Sequence, residues 1–150
     1  MVVDPVIDQL KNAEGLRLVV YDDATGKTIG PGSIVKGHPT IAYGRALDVN
    51  GLTPAEADYL LANDVAATRA KLSKVGWWLD LDAPRQNAIV CMAFQLGVAG
   101  MLSFRKMIAA IQKQDWAIAG QEALASGWAE ETPKRAQFVA HVLATGAWPT

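Results

Sequence analysis

Cysteine is nearly absent from this 150-residue chain: one residue, Cys91, excludes an intramolecular disulfide. It lies in the apolar run Ala88-Ile89-Val90-Cys91-Met92-Ala93-Phe94 and is expected to pack as a small buried hydrophobe. Histidine is also scarce. His38 and His141 are the only imidazoles, and neither stands at metal-site spacing from Cys91 or from the other, so no metal site is expected. Net charge is −1 and no basic excess exists in either half, with 8 basic and 9 acidic groups in residues 1–75 and 6 of each in residues 76–150. The basic stripe that neutralises nucleic-acid phosphates is missing, which argues against a nucleic-acid partner. No apolar run reaches the roughly 18 residues of a membrane span. The start, Met1-Val2-Val3-Asp4-Pro5, has neither the basic nor the apolar region of a signal peptide.

What is present is ordinary globular composition, 51% hydrophobic and 19% charged, with an unusual five tryptophans. A chain of this length buries enough surface to need no staple, and tryptophans are expected in a core and around a groove.

The pattern along the chain predicts an α+β fold of one domain, 1–150. Asp4-Pro5 reads as an N-cap with proline at the first helical position, and Val6, Ile7 and Leu10 continue a short helix to about Ala13. Leu16 to Tyr21 reads as a strand with Leu16, Leu18 and Val20 on one face. Six glycines and prolines then break the chain between Gly26 and Pro39, before a possible second strand at Thr40-Ile41-Ala42-Tyr43. Thr53-Pro54-Ala55-Glu56 is a capping box. The helix it opens runs to near Lys74, with Ala57, Leu60, Leu61, Val65, Thr68 and Leu72 at steps of three and four. Further helix starts are expected at Asp82-Ala83-Pro84, Ser103, Asp115 and Thr132-Pro133, with ends at Gly97 and Gly146. A small β-containing lobe (about 14–52) would thus be joined by a connecting helix (about 53–74) to a helical lobe (about 76–150, with the N-terminal helix). Two lobes on one connector make a cleft, where ligands usually bind.

Gly26-Lys27-Thr28 imitates the tail of a phosphate-binding loop, but Tyr21 occupies the place of its first glycine and Ile29-Gly30-Pro31-Gly32 cannot open a helix. The acids are more informative. Glu14 is expected just past the first helix, where the carbonyl ends of the dipole disfavour a carboxylate and so suit a general acid. Asp23 falls at the entry to the turn after the strand. Glycosidases need such a carboxyl pair, set roughly 6.5–9.5 Å apart when a water must fit between them. Asp22-Asp23-Ala24-Thr25-Gly26 is also an ordinary turn sequence, and a glutamate in a short linker is usually only solvated.

Glu14-Gly15-Leu16-Arg17-Leu18, with Tyr21 and Asp23, resembles the signature of the T-even phage lysozyme family, glycoside hydrolase family 24. Pro39-Thr40-Ile41-Ala42-Tyr43-Gly44-Arg45 is similar to the family's Thr-Ile-Gly-x-Gly segment. The resemblance continues through Asp82-Ala83-x-Arg85, Met92 to Gly97, Trp116, Trp128, Thr132-Pro133-x-Arg135-Ala136 and Thr145-Gly146-x-Trp148. It implies a lysozyme-like fold and a muramidase that hydrolyses the β-1,4 bond between N-acetylmuramic acid and N-acetylglucosamine in peptidoglycan, without a cofactor. Glu14 would protonate the glycosidic oxygen, Asp23 would activate water or stabilise the oxocarbenium-like transition state, and a threonine would hold that water. Arg135 stands where the family gives its glutamate an arginine partner. Gln95 and Trp128 match a pair that packs behind the cleft, and Phe94 a residue at its floor.

Three departures stand out. The water-holding threonine is Thr40 if Lys27 to Pro39 is an insertion, or Thr28 by spacing alone; Thr40 is favoured because Tyr43-Gly44-Arg45 continues as the family does. Ala42 replaces a glycine, restricting a backbone position the family leaves free. Arg45 stands where many members have histidine, so any salt bridge there must differ. The expected partner is the peptidoglycan glycan strand and the expected state a monomer. The expected setting is a phage endolysin made in the host cytoplasm and acting on the wall in the periplasm. A lytic transglycosylase, or a wall-binding or virion module without catalysis, are the rivals; the first needs no water-activating aspartate, and the second could drop Glu14.

Overall fold

A computed structural model describes residues 4–149; Met1 to Val3, on which the expectation about a signal peptide partly rests, and Thr150 lie outside the described residues. The chain forms helices and a small antiparallel sheet, and it divides into two compact units, one extending through Asp58 and the other starting at Tyr59.

The first unit begins with helix α1 (Pro5–Glu14). The Asp4 carboxylate accepts from the Val6 N–H, as its cap position requires. Strand β1 (Arg17–Asp22) pairs antiparallel with β2 (Pro39–Ala42), which pairs with β3 (Arg45–Ala46). On its other edge β1 is joined by the segment Lys27–Ile29, through Asp22 N–H to the Lys27 carbonyl, Ile29 N–H to the Val20 carbonyl, and a bridge between Tyr21 and Thr28. The short helix α2 (Leu47–Asn50) follows. The expected apolar face of β1 is not formed: Leu16 and Leu18 are exposed and Val20 is only half-buried. Among the described residues, the buried side chains of this unit are Asp22 and Thr40, both polar.

Helix α3 (Pro54–Leu72) opens on the capping box. Thr53 N–H and hydroxyl both donate to Glu56 Oε2 at 2.8 Å, and Glu56 N–H returns a bond to Thr53 Oγ1 at 3.3 Å. Arg45 extends this cap, forming an ion pair with the other Glu56 oxygen at 2.9 Å and donating through Nε to the Gly51 carbonyl. Along α3 the expected apolar stripe is buried only at its end: Leu60 and Leu61 are exposed, Val65 is half-buried and Leu72 is fully buried.

The second unit is helical. A 3-10 turn (Trp78–Asp80) leads to α4 (Ala83–Leu102), α5 (Arg105–Gln112), α6 (Trp116–Leu124), α7 (Gly127–Glu131) and α8 (Pro133–Thr145). Ala88, Ile89, Met92 and Ala93 repeat at helical spacing and bury one face of α4 against α8, which contributes Val139, Ala140, Val142 and Leu143. A fully buried Leu, Ile, Val or Met stabilises by roughly 1.5–3 kcal/mol over the exposed state. Helices α6 and α8 touch closely, because a Cβ on Gly120 would lie 2.7 Å from the Ala140 carbonyl oxygen. Arg85 is buried as a clasp: it pairs with Asp82, donates to the Leu143 carbonyl at 2.8 Å and stacks 4.1 Å over the Trp116 ring.

Gly97 breaks α4 as expected, with φ 73° and ψ 157°, but the chain resumes helical turns to Leu102 rather than entering a loop. Ser103 does not cap α5; its hydroxyl turns back and donates to the Gly100 carbonyl at the end of α4. Asp115 caps α6 as expected. Thr132 precedes α8, but its hydroxyl donates to the Trp128 carbonyl instead of capping. Cys91 is half-buried, and burial pushes its thiol pKa up. Among the described residues no single helix is long and apolar enough to cross a membrane.

Candidate active site

Glu14 is the last residue of α1 rather than one beyond it, and it is exposed. Its carboxyl lies against the backbone of the β2–β3 turn: a Cβ on Gly44 would be 3.1 Å from Glu14 Oε2. Ile7, Leu10 and Lys11 on the same helix, with Tyr43 and Gly44 of the turn, complete a pocket of about 360 Å³ around it. Among the described residues of its unit, no group hydrogen-bonds to the Glu14 carboxyl, which is left open in this pocket.

The neighbouring aspartates divide their work. Asp22 is buried. Its two oxygens accept from the N–H groups of Ala24, Lys36 and Gly37 and from the Thr25 hydroxyl, at 2.9–3.1 Å. These bonds, led by the one from Lys36, hold its pKa below the usual carboxylate value. Asp22 thus ties the long β1–β2 connection to the strand it leaves. Asp23 is exposed, and its Oδ1 accepts from the His38 N–H at 2.7 Å. Among the described residues Oδ2 receives no hydrogen bond and faces solvent chemistry unencumbered.

Asp23 lies over Gly37. A Cβ there would meet Asp23 Oδ1 at 2.0 Å and Ala24 at 2.8 Å, so no side chain fits. The sequence marked Gly37 only as one break among six; its close approach to Asp23 had no local signature. Asp22 and His38 were missed for the same reason, since their partners stand 10–15 residues away.

The two candidate threonines face each other across one strand. Both pair with Tyr21, Thr28 on the outer edge of β1 and Thr40 on the β2 side. Thr28 is exposed; Thr40 is buried, its hydroxyl donating to the His38 carbonyl at 3.0 Å. The Gly44 turn that touches Glu14 continues from β2, on the Thr40 side.

The other four candidates belong to the second unit, where three of them meet. The Gln95 side-chain oxygen accepts from Trp128 Nε1 at 3.0 Å and from Arg135 Nη1 at 2.9 Å. Trp128 is buried and meets Phe104 edge-on, with centroids 6.2 Å apart. Phe94 is exposed beside Gln95. No group of three or more His, Cys, Asp or Glu side chains among the described residues could hold a metal ion.

An α+β chain with an exposed glutamate at a helix end, an exposed aspartate at a strand end and a tryptophan–glutamine–arginine cluster on its helical unit has the makings of a lysozyme-type glycoside hydrolase. Comparison with known proteins agrees. The family model described as Phage lysozyme matches residues 11–139, and the chain belongs to that family. It is 34% identical over 157 residues to the pre-baseplate central spike protein Gp5 of Enterobacteria phage T4, a match covering 93% of this chain but only 27% of that protein. It is 31% and 28% identical to the probable T4-type lysozymes 1 and 2 of Dictyostelium discoideum, over 96% of this chain and of each relative.

Proposed function

We propose that this chain is an N-acetylmuramidase that hydrolyses the β-1,4 bond between N-acetylmuramic acid and N-acetylglucosamine of peptidoglycan. Family membership fixes the enzyme class; the single observation that carries the assignment of roles is the open Glu14 carboxyl in its pocket against Gly44. Glu14 donates its proton to the glycosidic oxygen as the C–O bond breaks. Asp23, with one oxygen uncommitted, activates the attacking water or stabilises the oxocarbenium-like transition state. Thr40 is the threonine that holds the water, a reading supported by its place on the β2 side, toward the turn that touches Glu14. Gln95, Trp128, Arg135 and Phe94 are substrate-contacting or supporting residues of the second unit. No cofactor is needed, because two carboxyls and a positioned water suffice.

The expected setting is a phage endolysin that acts on the host wall as a monomer. Likeness to a segment of a virion spike protein favours a second setting, a lysozyme carried by the particle.

Digestion of purified peptidoglycan, with mass spectrometry of the released sugars, tests the reaction. Reducing muramic-acid ends that vanish in Glu14→Gln are expected. Anhydro-muramic ends would keep Glu14 but make the enzyme a lytic transglycosylase, and no release from a folded sample would make it a binding module. Thr40→Ala is expected to lower turnover far more than Thr28→Ala; the opposite ranking would move the water to the outer edge of β1.

A further inference from the structure

The long β1–β2 connection contains one residue whose main chain serves both groups proposed to handle the water. The His38 N–H donates to Asp23 Oδ1 at 2.7 Å. The His38 carbonyl accepts from the Asp23 N–H at 3.1 Å and from the Thr40 hydroxyl at 3.0 Å. No other residue of the connection bonds to both side chains. The His38 side chain leaves in the opposite sense: Nδ1 meets the Asp48 carboxylate of α2 at 2.9 and 3.2 Å.

From this geometry we infer that His38 is a positioning residue for hydrolysis, its ion pair with Asp48 fixing the peptide that aims Asp23 and Thr40. The inference rests on the proposed roles of Asp23 and Thr40. A peptide bonded to two reacting groups transmits its own displacement to both, and a shift near 1 Å at such groups lowers turnover about 100-fold. The connection between Thr25 and His38 is long and carries four glycines and a proline, so its own backbone holds the far end weakly. Asp22 anchors it at Lys36 and Gly37, and the His38–Asp48 pair anchors the next residue from the other side.

The anchor depends on charge. The carboxylates facing the imidazole are Asp48 of α2 and Asp23 at the end of β1, and both raise the His38 pKa above its ordinary value, Asp48 foremost through its hydrogen bond. The linkage sign follows from that direction. The pairing is fully present below the ordinary histidine value of about 6.5 and is lost as pH rises through the raised value. Turnover therefore acquires an alkaline limb that belongs to His38.

Two measurements on the full chain test this. The first is turnover of purified peptidoglycan against pH for the parent, His38→Gln, Asp48→Asn, the double variant and Asp23→Ala. The second is the NMR titration of the His38 imidazole together with the amide signals of Gly37, His38 and Thr40, with His141→Gln to assign the second imidazole. Expected results are a fall in kcat of about tenfold in each single variant with KM little changed, and no further loss in the double variant. The alkaline limb should vanish in both Asp48→Asn and His38→Gln, and in the parent the three amides should follow the imidazole. Parent-like kcat and pH profiles in folded His38→Gln and Asp48→Asn would overturn the inference, as would amides that ignore the imidazole while Asp23→Ala is inactive. Full activity in Asp23→Ala would overturn the catalytic reading, and this inference with it, even where the amides titrate.

Discussion

The two units are held together by different physics. All 21 buried apolar residues of the core lie between Leu72 and Leu143, in the helical unit. Among its described residues, the unit that carries Glu14 and Asp23 buries two side chains, Asp22 and Thr40, and both are satisfied by hydrogen bonds. An apolar core is non-directional and tolerates small shifts, because burial scales with area. A hydrogen-bonded hub is directional, and its members must keep distance and angle. The difference suits the proposed division of labour: the helical unit supplies stability, and the sheet unit supplies geometry to the groups proposed to react.

The comparison predicts that damage in the two units separates stability from activity. The largest loss of stability is expected for Leu143→Ala. Leu143 is fully buried, and its backbone carbonyl also accepts from Arg85. A Leu→Ala change at such a site costs about 2–5 kcal/mol, through lost burial and the cavity left behind. Denaturant unfolding should show the midpoint falling with the slope unchanged, and turnover of the fraction still folded should stay near the parent value. A cost under about 1 kcal/mol would show that the core can collapse around the gap and is less tightly packed than its burial implies.

The sheet unit should respond the other way to Gly37→Ala. The added methyl would overlap Asp23 Oδ1, at 2.0 Å, and crowd Ala24. The carboxylate must swing aside or the connection must shift, so turnover should fall by about 10- to 100-fold. The core from Leu72 to Leu143 is untouched, and hydrogen exchange of its amides should match the parent. Parent-like turnover of this variant would show that the placement of Asp23 over Gly37 is not the productive one.

The same contrast explains what could be read from the amino-acid order. Helical periodicity and caps are local, and they located α1, α3, α4, α6 and α8 with starts at Pro5, Pro54, Ala83, Trp116 and Pro133. Ser103 was misread because its hydroxyl can serve the helix behind it as well as the one ahead. Short α2 and α7 carry too few turns for periodicity to register. In the sheet unit, alternation predicted a buried face on β1 that the exposed Leu16 and Leu18 do not form, because the pattern is silent on whether anything covers the face. Glu14 and Asp23 were legible as acids at a helix end and a strand end, and through the resemblance. The hub beneath them was not: Asp22 reaches Lys36 and Gly37, and His38 reaches Asp23 and Asp48, by contacts that no local pattern encodes.

The smallest effect concerns the one departure from the family pattern whose backbone consequence is visible. Ala42 stands where the resemblance calls for glycine, and its φ is 58°, in the left-handed region that alanine enters at a cost of about 1–2 kcal/mol. The residue ends β2, opposite Arg17, immediately before the turn whose Gly44 touches Glu14. Ala42→Gly removes the clash between Cβ and its own backbone but gives the unfolded chain more freedom, a loss of roughly 0.4–1 kcal/mol. The strain relieved is the larger of the two, so the variant should be more stable by a few tenths to about 1 kcal/mol, with no contact added. Chemical denaturation can resolve such a change if the sheet unit is followed by a local probe, for instance the Tyr43 amide under native-state hydrogen exchange. A stabilised Ala42→Gly with parent turnover would mean that the turn keeps its shape without alanine and that the strain is incidental. A stabilised variant with lower turnover would mean that alanine stiffens the turn against which Glu14 rests, and that the sheet unit gives up stability here to hold its geometry, at the end of β2 away from Asp22.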